Sequence, residues 1–200
     1  GGTADTSAAV SATPTAEGPG AGAGGQTGPG APDVPPPGAP SPGFLDQDDV
    51  TVRMAGQALI VDILPMNAEV LALATDDLRT YLQEALRKVP DTVPPDLQRN
   101  GTFFLVGFSS TEKEVLFEPT QLQLNSEGRR YWPRYIVPVT AGFGNRVLEL
   151  FRPVFGVYVY DPGIDLLSTL EFSYGDTISS GTRWRAVVQN VEEARSRARR

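Results

Sequence analysis

The chain has 200 residues, a formal net charge of −7, 21 glycines and 18 prolines, and neither cysteine nor histidine. That charge argues against a nucleic-acid-binding surface, which needs concentrated Lys and Arg to displace phosphate counterions. Without His or Cys, these 200 residues cannot build a Ser-His-Asp or Cys-His nucleophile system or a zinc site on His or Cys ligands.

Residues 1–43 hold 11 of the 21 glycines and 9 of the 18 prolines. They contain no Lys, Arg or aromatic residue, and only Asp5, Glu17 and Asp33 are charged. Such a segment cannot bury enough apolar surface to offset the entropy of ordering it. Its composition predicts a disordered or extended linker, flexible around "GPGAGAGGQTGPG" and stiffer, polyproline-like, around "VPPPGAPSPG". Residues 44–200 are long enough to bury a single core. The small-residue opening "GGTADTSAAV" followed by this linker resembles the region after the lipidated cysteine of bacterial lipoproteins. That resemblance implies a lipid anchor upstream of Gly1 and an exported protein, in the periplasm or on the outer cell surface.

Beyond the linker, "VTVRMAG" (50–56) puts Val50, Val52 and Met54 on one face of a strand, opposite Thr51 and Arg53. "ALIVDIL" (58–64) is apolar on both faces apart from Asp62, as a central strand would be, and Pro65 ends it. "EVLALA" (69–74) reads as a third, shorter strand. The spacing of Leu78, Leu82, Ala85, Leu86 and Val89 predicts a helix over about 76–89. Thr75 or Asp76 caps it, Asp77 sits in the positive first turn, Arg87 and Lys88 lie in the last, and Pro90 stops it.

After the extended loop "PDTVPPD" comes "TFFLVGF" (102–108), hydrophobic on both faces. In "EVLFEPTQLQLNSEGRRYWP" (114–133), Val115 and Phe117 point one way, and Leu122 and Leu124 face away from Gln121 and Gln123. "NSEG" supplies a tight turn before "RRYW", giving a half-buried hairpin with a polar outer face. "VLELF" (147–151), "VFGVYVY" (154–160) and "TLEFSY" (169–174) complete the strands. A helix over about 183–198 buries Trp184, Val187, Val188 and Val191, and Glu193 supports Arg197 four residues on. Eight or nine short strands separated by turn residues predict a mainly β, antiparallel sandwich with two peripheral helices.

The run "FFLVGFSSTEKEVLFEPTQLQLNSEGRRYWP" resembles the immunoglobulin-like domains of bacterial envelope lipoproteins and related exported proteins, over about residues 102–133. The resemblance implies an immunoglobulin-like sandwich with a non-catalytic structural or interaction role in the cell envelope. Its partners would be other envelope or membrane-complex proteins.

The acidic residues fall mostly at turns and on polar strand faces, without a paired setting for hydrolysis, so no catalytic residue is expected. Asp161 and Asp165 flank a Pro-Gly turn and read as turn formers rather than calcium ligands. No metal or cofactor is expected, and no apolar run approaches the ~20 residues of a membrane-spanning helix.

Partner contact is expected at two places. "RRYWPRY" sets Tyr131, Trp132 and Tyr135 beside Arg129, Arg130 and Arg134, the composition of interface anchors. The competing reading makes one or two of those rings core residues and the arginines solvated edge charges that discourage strand aggregation. "AGFGNR" (141–146) reads as a mobile hairpin loop that offers Phe143 and Asn145. Arg195, Arg197, Arg199 and Arg200 complement the C-terminal helix dipole, or meet anionic headgroups or an acidic partner. The alternative role is a carbohydrate- or other ligand-binding module, for which the rings at 131–135 are suited but no polar constellation beside them is visible.

Overall fold

A computed structural model describes residues 43–91 and 93–200. Apart from Gly43, the linker expected over residues 1–43 lies outside them. In chain order the strands are β1 (Val52–Ala55), β2 (Leu59–Pro65), β3 (Thr102–Ser110), β4 (Val115–Leu116), β5 (Leu122–Ser126), β6 (Arg129–Tyr131), β7 (Tyr135–Pro138), β8 (Val147–Leu148), β9 (Val154–Tyr160), β10 (Leu170–Tyr174) and β11 (Ile178–Ser179). They form a five-stranded sheet in the order β1-β2-β3-β9-β7, a four-stranded sheet in the order β11-β10-β5-β6, and a two-stranded β4-β8 ribbon. All of these pairings are antiparallel.

Alternation along the strands decides where the core sits. Phe104 and Phe108 on β3 and Tyr158 and Tyr160 on β9 point to one face of the larger sheet and are buried. Across from them Leu122, Leu124, Leu170, Phe172 and Tyr174 line the inner face of the smaller sheet. Phe104 meets Phe172 edge-on at 5.2 Å, and Phe108 meets Tyr174 at 5.8 Å. Each such side chain contributes on the order of 1.5–3 kcal/mol by leaving water. The Tyr158 hydroxyl donates to the Pro119 carbonyl at 2.9 Å. The Tyr160 hydroxyl is buried and has no partner among the described residues.

The central strands of the larger sheet, β2, β3 and β9, are apolar on both faces apart from Asp62, so its outer face also needs cover. Leu64, Leu105, Val157 and Val159 are buried there. Helix α3 (Asp76–Leu86) supplies the cover, burying Leu78, Leu82 and Ala85. Tyr81 stands edge-on to Phe155 at 6.1 Å, and Lys88, just past the helix, donates to the Val139 carbonyl at 2.9 Å.

The described residues contain five α-helices rather than the two expected: α1 (Gln47–Val50), α2 (Ala68–Leu73), α3, α4 (Pro95–Asn100) and α5 (Trp184–Ala198). "EVLALA", expected as a strand, is α2. The Asn67 side chain accepts the Val70 N–H at 3.0 Å as an N-cap, and the Ala, Leu and Glu that follow favour helix. Nor is α5 wholly peripheral. Trp184 enters between the sheets, 6.0 Å from Phe104 and 5.7 Å from Phe172, and its Nε1–H donates to the Leu166 carbonyl at 2.9 Å. Farther along, Asn190 donates to the Asp49 carbonyl and Arg195 pairs with Glu69, which ties α5 to α1 and α2.

The hairpin at 122–131 forms with Leu124 opposite Tyr131 and Ser126 opposite Arg129. Its turn is only two residues, Glu127 at φ 51° and Gly128 at φ 78°. Two consecutive positive φ values match the twist of the flanking strands.

Candidate functional site

The "RRYWPRY" run links the two sheets. β6 is an edge of the four-stranded sheet and β7 an edge of the five-stranded one, so Trp132, Pro133 and Arg134 carry the chain between them. Strand alternation separates the anchors expected to act together. Tyr131 is half-buried against the core, with the Arg129 guanidinium 5.0 Å from its ring centre. Trp132 is 51% exposed, and Arg130 stands 5.8 Å from its ring centre. Arg134 donates to Asp161 at 2.8 Å, and this hydrogen bond, then the Asp161 charge, raises its pKa. Tyr135 is exposed. The run therefore offers two open rings, Trp132 and Tyr135, rather than one cluster.

Phe143 is not available to a partner. It is 3% exposed and packs 5.6 Å from Phe117 and 6.1 Å from Phe108. Its ring lies over Gly156, where a Cβ would approach to 2.7 Å. This burial pins "AGFGN" as a 3-10 turn, Ala141–Asn145, in place of the mobile loop expected. Asn145 remains exposed and lines a cleft of about 370 Å³ with Gly142, Val147, Glu149 and Arg152.

That cleft adjoins a feature that strand periodicity could not reveal. Leu116 is 75% exposed and Phe151 73%, with Val147 and Leu150 also open to solvent. Leu116 and Val147 are direct cross-strand partners on the β4-β8 ribbon. Only the first two residues of "VLELF" are strand. Leu150 then bridges Ser110, and the Phe151 N–H donates to the Ser110 carbonyl at 3.0 Å. Phe151 sits at φ 56°, a left-handed conformation that costs a bulky residue about 1–2 kcal/mol. The flanking charges pair off, Arg146 with Glu118 at 2.8 Å and Arg152 with Glu149 at 2.9 Å. In sequence, an exposed Leu in a short apolar run looks the same as a buried one.

A third surface is the outer face of the four-stranded sheet. Register places Arg130 and Glu171 on either side of Asn125, and Ser173 opposite Gln123. Trp132 follows β6 on the same face as Arg130. These side chains are exposed or half-exposed. They make a polar sheet face, joined to the ring through Arg130, that was not visible in the sequence because it comes from three strands.

A cleft of about 410 Å³ lies among Met66, Asn67, Leu86, Gln98, Arg99 and Phe103. A neighbouring one of about 320 Å³ includes Glu69 and Asp165. Glu69 is engaged by Arg195, and Asp165 accepts the Leu167 N–H at 2.9 Å, closing its own turn. Arg197 pairs with Glu193 at 3.4 Å. Among the described residues no helix is long and apolar enough to cross a membrane. No protein-family model, no curated protein and no solved structure matches this chain.

Proposed function

We propose that the chain is a non-catalytic interaction subunit that docks a protein partner through Leu116, Val147, Leu150 and Phe151. The observation that carries this reading is Phe151. An aromatic side chain is held in solvent on a backbone conformation that disfavours it, and it follows the exposed Leu150 and, four residues back, the exposed cross-strand pair Val147 and Leu116. Clusters of this kind on soluble proteins mark contact sites, and backbone strain persists where a role maintains it. Paired charges at the rim leave the cluster close to neutral, which suits burial against an apolar partner surface.

The compartment belongs to the same proposal: an exported protein of the bacterial envelope, tethered through the Gly/Pro-rich segment to a lipid anchor and joined to a larger membrane assembly. Its support is composition, a long stretch suited to spacing a domain from a surface. The immunoglobulin-like reading draws support from two antiparallel sheets packed through aromatic residues. The run β1-β2-β3 within one sheet departs from the usual immunoglobulin strand order.

The test is quantitative co-isolation from the solubilised envelope of the source cells, with the full chain and with a Leu116→Ser, Phe151→Ser variant. The proposal expects a defined partner retained by the first and lost from the second at unchanged melting temperature. The same set retained by both chains, or no partner with either, contradicts it.

A further inference from the structure

We infer that the outer face of the four-stranded sheet is a binding platform for a neutral oligosaccharide, with Trp132 as its stacking residue. The inference rests on that face alone and does not depend on the apolar cluster around Phe151.

The platform is defined by register. Residues two apart on a strand share a face, so Arg130, Asn125 and Glu171 form one row across β6, β5 and β10. Gln123 and Ser173 are direct partners in the next row, and Trp132, two residues past Arg130 and just beyond the end of β6, has its ring centre 5.8 Å from the Arg130 guanidinium. With strands about 4.8 Å apart, three strands spread these groups over roughly 10 Å, room for on the order of two hexose rings. The equivalent face of the larger sheet lies beneath α3, whereas these side chains are open to solvent.

The chemistry selects the ligand. One cation and one anion leave the face with no net charge, and two amides and a hydroxyl stand among them. Amides and hydroxyls both donate and accept, as sugar hydroxyls do, so a polyol can pair along both rows. A pyranose also has an apolar C–H face, which suits the electron-rich face of an indole. Trp132 is half exposed, and the nearby Arg130 guanidinium helps to orient its ring. A nucleic acid would need several cations where this face has one. An apolar protein surface would find a single apolar side chain.

The test is calorimetric titration of the full chain with cellopentaose, chitopentaose and maltopentaose, alongside tryptophan fluorescence. Of the two tryptophans, Trp184 is 1% exposed and reports the fold, so a ligand-dependent change in emission reports Trp132. We expect saturable binding of at least one pentaose, with a change in Trp132 emission. Trp132→Ala should weaken it by about tenfold or more, Trp132→Tyr should largely retain it, and Glu192→Ala on α5 should leave it unchanged. Asn125→Ala gives an independent reading should Trp132→Ala disturb the Trp184 signal, and it too should weaken binding severalfold. No binding of any pentaose at millimolar concentration overturns the inference. Binding that is indifferent to both Trp132→Ala and Asn125→Ala overturns it as well.

Discussion

The two larger sheets share an inner core and differ in what their outer faces became. On the five-stranded sheet, β2, β3 and β9 are apolar on both sides apart from Asp62, and the outward Leu64, Leu105, Val157 and Val159 are sealed from water near α3. On the four-stranded sheet, β5 and β10 alternate, and the outward Gln123, Asn125, Glu171 and Ser173 stay open. A strand that is apolar throughout recruits a second layer, and an alternating one leaves a surface free for other uses.

The largest effect should come from reversing that difference in packing. Leu105→Ala is expected to cost about 3 kcal/mol through lost burial and a cavity, while Gln123→Ala on the open face should stay within about 0.5 kcal/mol. Urea denaturation of both variants measures the contrast, and equal losses would mean the two faces are packed alike.

The shared inner face can be probed with pH. Burial raises the pKa of the Tyr158 and Tyr160 phenols well above the ordinary tyrosine value. The folded state therefore holds these protons more tightly than the unfolded chain. Their contribution is complete below about pH 10, the unfolded pKa, and is lost as the pH rises toward the folded values. Each tyrosine should remove about 1.4 kcal/mol per pH unit once its unfolded form ionises. Between about pH 10 and pH 11 the loss from the pair should approach 2 kcal/mol, and a flat urea midpoint across that range would show the rings to be hydrated.

A smaller effect tests the turn that aligns the open sheet. Gly128→Ala places a Cβ at φ 78° and should cost about 1 kcal/mol, read from the thermal midpoint. Smaller still is the expected change on relieving Phe151. Phe151→Gly should leave stability unchanged or raise it by up to about 1 kcal/mol, because the aromatic ring is largely exposed and its backbone is strained. A clear loss of stability would make Phe151 a structural residue.

Much of the fold was legible because it rests on periodicity. The double-sided apolar runs at 58–64 and 102–108, the alternation at 121–124 and 169–174, and the stripe at 78–86 all correspond to elements of the structure. Periodicity failed at "EVLALA", where the decisive signal was a cap, Asn67, two residues before the run. It also missed β7, whose four residues end at Pro138 and follow Pro133 closely. Of the candidate contacts, Trp132 and Tyr135 are exposed and Phe143 is buried, a distinction that depended on the missing Cβ of Gly156 thirteen residues away. The exposed Leu116 and Val147 meet across two short strands, and the polar rows of the open sheet assemble from three. No local pattern encodes them.

The most direct measurement of the docking claim is site-specific photocrosslinking in source cells, with a photoreactive phenylalanine replacing Phe151 in one chain and Glu192 in another. The interaction account predicts a discrete adduct of defined mass from position 151, absent from position 192 on the exposed side of α5. No adduct from 151, or the same diffuse pattern from both positions, would contradict it.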